Sequence, residues 1–77
     1  MSECRVNHTK ADLKRKYESQ ESFLPAEIKS LFSPFFARDH AQELLNEVFH
    51  LLKKYDLASA EEQSARNNRL LLVLKNV

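Results

Sequence analysis

Residues 33–55 read SPFFARDHAQELLNEVFHLLKKY, and the spacing within them decides the fold class. Ala41, Leu45, Val48, Leu52 and Tyr55 recur at alternating intervals of four and three residues. With Leu44, Phe49 and Leu51 beside them they cover an arc of roughly 160°, the width of a helix face that packs on a core. Gln42, Glu43, Asn46, Glu47, His50, Lys53 and Lys54 fall opposite and form a polar face. The acids come early and the lysines late, which suits the helix dipole. Ser33 can cap the start and Pro34 suits a first helical position, so the spacing predicts a helix over 34–55. Asp39 offers a second start if 35–38 form a separate turn.

Working outward, Ser59-Ala60-Glu61-Glu62 has the form of a capping box and predicts a helix over 60–75. The first half of that helix is polar. Its end, Leu70-Leu71-Leu72-Val73-Leu74, is apolar on every side. Five such residues also suit a buried strand, but no second strand candidate exists to pair with it. On the N-terminal side, Thr9 and Asp12 open a helix over 9–22, with Leu13, Tyr17 and Leu24 on one line. Pro25 opens a short helix over 25–32 that buries Ile28, Leu31 and Phe32. The residue before a proline is pushed out of the helical region, so Ser33-Pro34 is expected to end it. The expectation is an all-α bundle of four helices without a sheet: a single domain over 9–77, with 1–8 disordered or frayed.

The chain has 77 residues and no glycine. Glycine-rich phosphate loops, nucleophile elbows and Asn-Gly hairpins are therefore excluded. Left-handed residues that stop helices are expected to fall on Asn or Asp, and Asp56 is the candidate after the third helix. Twelve basic and eleven acidic side chains nearly balance, so no strong pull toward nucleic acid or lipid is expected. One cysteine excludes an internal disulfide. Residues 1–20 carry no apolar signal core and no apolar run spans a bilayer; the expected compartment is the cytoplasm.

Few residues point to chemistry. Glu47 and His50 have the Glu-x-x-His spacing of carboxylate-bridged metal bundles, and His40 and Glu43 lie on the same side. All four sit on the polar face, and a second such pair is missing, so no metal or cofactor is expected. Cys4 and His8 place a thiol and an imidazole four residues apart, but in a polar terminal segment without an oxyanion donor. No catalytic residues are assigned, and an enzyme is not expected. Lys10, Lys14, Arg15 and Lys16 form the basic cluster and give the alternative function, a small nucleic-acid-associated regulator. Asp39, Glu43 and Glu47 would present the wrong sign to phosphate on a reading helix.

The leading expectation is a small, self-associating protein–protein interaction module. The five phenylalanines fall between Phe23 and Phe49 and are expected to build the core. One helix cannot bury all of Leu70–Leu74 in one core, nor both Phe35 and Phe36, so part of this set should form an association surface. Phe35, Phe36, Leu70, Leu71, Leu72, Val73 and Leu74 are the candidate interface residues. Energetics agree: ordering a chain of this length costs on the order of 100 kcal/mol, which so small a core barely offsets.

Overall fold

The computed structural model describes residues 8–76. They form four α-helices and, among the described residues, no strand: α1 Lys10–Gln20, α2 Ala26–Phe36, α3 Gln42–Leu52 and α4 Ala60–Lys75. Short 3-10 turns, Glu21–Phe23 and Tyr55–Leu57, follow α1 and α3. The all-α bundle expected from the sequence is the fold observed. No described helix is long and apolar enough to cross a membrane.

The outer helices start where their caps are written. The Asp12 amide donates to Thr9 Oγ1 at 3.0 Å and the Thr9 amide donates to Asp12 Oδ2 at 3.2 Å, a reciprocal capping box. The Glu62 amide donates to Ser59 Oγ at 3.1 Å, and α4 spans the expected residues. The Glu62 carboxylate itself pairs with Arg66 at 2.9 Å.

The middle of the chain departs from expectation. Ser33-Pro34 does not separate two helices; it lies inside α2, which continues to Phe36. Pro34 is exposed and gives up one backbone hydrogen bond, at a cost of about 3 kcal/mol in a helix interior. Continuing the helix buries Phe35 to 1% exposure and half-buries Phe36. Full burial of such a side chain contributes roughly 1.5–3 kcal/mol and half-burial about half of that, so the two phenylalanines together offset the proline. They close an aromatic cluster: Phe32 stands 6.0 Å from Phe35 and 5.6 Å from Phe36, and Tyr17 of α1 stands 4.4 Å from Phe32. α3 consequently starts after Ala41 rather than at Pro34, and it ends at Leu52 rather than Tyr55. The left-handed residue is Lys54, with φ 56°, and not Asp56. Placing the reversal at Lys54 turns the Tyr55 ring into the core and leaves the Asp56 amide to donate to Gln20 Oε1 at 2.9 Å.

Without glycine, two helix ends are closed by cations from other helices. Lys10 Nζ donates to the carbonyls of Phe36 at 3.3 Å and Arg38 at 2.9 Å beyond the end of α2. Arg66 Nη1 donates to the carbonyls of Leu51 at 3.4 Å and Lys53 at 2.8 Å beyond the end of α3. Positive charge at a helix C-terminus satisfies orphan carbonyls and complements the dipole.

α1 packs on α3, and α4 packs on both α2 and α3. Leu45, Val48 and Leu52 lie in the core as the stripe predicted, joined by Leu13, Ile28, Phe32, Tyr55 and Leu70. The Tyr55 hydroxyl donates to Asn67 Oδ1 at 2.7 Å, which removes the cost of burying it. The frayed segment expected over 1–8 lies outside the described residues except for His8. The His8 ring stacks on Phe49 with centroids 3.6 Å apart, and its amide donates to Asn46 Oδ1 at 3.0 Å.

Candidate functional site

The predicted interface residues are divided by the fold. Phe35, Leu70, Val73 and Leu74 are buried, and Phe36 and Leu71 are half-buried against the same core. Leu72 alone is left exposed, at 54%. As an exposed patch the expected set is thus corrected to Leu72 with the edges of Phe36 and Leu71. The reason is that two helices, α2 and α3, cover α4 and take up more of its apolar arc than a single neighbour would.

Between α2 and α4 a groove of about 310 Å³ remains, lined by Leu31, Pro34, Phe35, Arg38, Leu74 and Lys75. Phe35 and Leu74 from the predicted set line it while almost fully buried, so its accessible apolar surface comes from half-buried Leu31 and exposed Pro34. Pro34 enters the lining because α2 runs through it instead of stopping before it. Two cations stand at the rim. Lys75 Nζ lies 3.7 Å from Glu27 Oε2, a loose and exposed pair. Among the described residues no carboxylate is paired with the Arg38 guanidinium, whose backbone carbonyl is held by Lys10. The arrangement can take up an apolar side chain and place a carboxylate against it. Leu31, Pro34, Arg38 and Lys75 carry no sequence signal for this role, since they become neighbours of Leu74 only through the packing of α4 on α2.

The basic cluster does not form one surface. Lys10 is turned to the end of α2 and pairs with Asp39 at 3.3 Å. Arg15 pairs with Asp12 at 2.6 Å, Lys16 Nζ stands 5.5 Å from the Phe49 ring centroid, and Lys14 is exposed. A second cleft of about 320 Å³ collects His8, Asp12, Arg15, Lys16, Ser19 and Phe49. The Asp12 carboxyl is held below the usual carboxylate range, chiefly by the hydrogen bond from the Thr9 amide. A fixed negative charge therefore sits among the cations of this cleft, and His8 already covers a face of Phe49.

The histidines and acids of the Glu-x-x-His region are drawn apart. A His40 ring nitrogen lies 2.6 Å from the Phe35 carbonyl oxygen, and the ring stacks on Phe35 at 4.0 Å. Glu47 binds Arg69 of α4, Glu43 is exposed, and His50 meets the edge of the His8 ring at 5.9 Å. Among the described residues no three His, Cys, Asp or Glu side chains are grouped so as to hold a metal ion. Cys4, the thiol set beside His8 in the sequence, lies outside the described residues.

Comparison with known proteins finds no match: no family model, no curated protein and no solved structure is significantly similar to this chain.

Proposed function

We propose that the chain is a small, non-enzymatic helical binding module whose α2–α4 groove receives a protein segment with an apolar anchor and an adjacent carboxylate. The observation that carries this reading is the groove itself: accessible apolar lining from Leu31 and Pro34 beside the cations Arg38 and Lys75. Apolar burial supplies affinity in such a site, and a rim charge selects the partner and its orientation. The nucleic-acid alternative has less support, because Lys10 and Arg15 are committed to partners within the fold and Lys14 does not line the cleft that holds Lys16.

The test is a titration of the isotope-labelled protein with a blocked hexapeptide of alternating aspartate and leucine, followed by amide chemical shifts. Shifts should concentrate at Leu31, Phe35, Arg38, Leu74 and Lys75, and Arg38→Glu should abolish them. Shifts confined to Lys14–Lys16, or none at millimolar peptide, would remove the groove as the binding site.

A further inference from the structure

The groove sets Leu31 and Pro34 beside the cations Arg38 and Lys75, and exposed apolar side chains next to carboxylates stand elsewhere on the same chain. The turn Tyr55–Leu57 is tied to the end of α1, directly before the turn Glu21–Phe23, by the bond from the Asp56 amide to Gln20 Oε1, 2.9 Å long. The two turns carry Phe23 at 53% exposure and Leu57 at 76%, which with Leu72 are the exposed large apolar side chains of the described residues. Glu18, Glu21 and Asp56 are exposed beside them, and Lys53 and Lys54 are the bases at this end. Asp56 directly precedes Leu57, so the second turn presents a carboxylate and an apolar side chain in sequence. That is the pair of groups the groove accepts.

A chain cannot fill its own groove with this turn. α1 measures the separation: Gln20 binds Asp56 at one end, and Lys10 binds the Arg38 carbonyl at the other. Ten residues of helix place those contacts about 15 Å apart.

We infer that a second copy of this chain docks its Leu57 turn in the α2–α4 groove, Leu57 against Leu31 and Pro34 and Asp56 against Arg38 and Lys75. The inference rests on the groove reading above and names its occupant. The contact is heterologous, because turn meets groove and each copy keeps one of each unused. Such a contact builds chains or rings instead of closing at two copies. A contact through one turn falls short of the roughly 800 Å² per partner of stable complexes, so association is weak.

Sedimentation equilibrium of the full chain from micromolar to millimolar concentration tests this. The average mass should climb steadily past twice the 9.0 kDa of one chain. Leu57→Glu and Arg38→Glu, both at exposed positions, should each stay monomeric with an unchanged far-ultraviolet dichroism spectrum. An equimolar mixture of the two should pair and stop at the heterodimer, since only one intact turn and one intact groove remain. A wild-type chain that stays monomeric at millimolar concentration overturns the inference. So does a wild type that stops at two copies while the mixed variants fail to pair. If the aspartate–leucine peptide still binds the groove in either case, the binding module stands and only the second copy is lost as its occupant. If neither peptide nor mixed variant binds, both readings fall.

Discussion

Lys10 Nζ donates to the carbonyl oxygen of Phe36, 26 residues away, at 3.3 Å. The same ammonium reaches the Arg38 carbonyl and the Asp39 carboxylate, so one side chain of α1 closes the end of α2. Elsewhere a glycine in the left-handed region commonly does this work. Lys10→Met keeps the stem and removes the donor. It should cost about 1 kcal/mol of stability in urea unfolding, the scale of a charge at a helix terminus. Lys14→Met, at an exposed position on the same helix, should cost less than about 0.5 kcal/mol. Equal losses would show that the cap contributes nothing.

Burial separates Leu52, on the predicted core stripe, from Leu57 five residues on. Leu52 is 0% exposed and Leu57 is 76% exposed. Leu52→Ala should destabilise by roughly 2–5 kcal/mol, the transfer and cavity cost of a core leucine. Leu57→Ala should leave unfolding within about 0.5 kcal/mol of wild type while weakening association. A denaturation midpoint that falls as far for Leu57→Ala as for Leu52→Ala would place the second turn in the core.

Pro34 sits in α2 against the rule that a proline breaks a helix. Pro34→Ala restores a backbone donor toward the Ser30 carbonyl, at the expense of about 0.4–1 kcal/mol from a freer unfolded chain. The balance favours alanine, so thermal unfolding should move up by a few degrees. A lower midpoint would mean that the helix does not run through this position.

Asp12 gives the fold a dependence on acid. Its folded pKa is depressed, first by the Thr9 amide and then by the Thr9 hydroxyl and Arg15. The unfolded chain therefore binds this proton more readily than the folded one does. The stabilisation is present above the ordinary carboxylate pKa and is lost as pH falls below about 4. In Asp12→Asn, stability measured from pH 6 to pH 2 should fall less steeply over the lower part of that range. An unchanged acid limb would assign the loss to other carboxylates.

Much of the architecture is legible from local chemistry. Ser59 and Thr9 mark helix starts because a capping oxygen acts within three residues, and both helices begin there. Leu45, Val48 and Leu52 identify a buried stripe because a helical period depends on spacing alone. The middle of the chain is not legible in this way. The rule that a proline disfavours helix before it competes with the burial of Phe35 and Phe36, and that burial exists only once Tyr17 and α4 are in place.

The sequence by itself determined the class, the caps of α1 and α4, and the core face of α3, since each is an interaction between residues one turn apart. Only the tertiary structure decided that Leu72 and not Leu74 meets solvent, that Lys54 takes the left-handed turn, and that Lys10 and Arg66 close helices they do not belong to. It also decided the groove. Leu31 and Leu74 are 43 positions apart in the chain, and no local preference records that α4 lies across α2. Which face of an apolar run is left uncovered depends on how many neighbours reach it, and that number is a property of the packed chain.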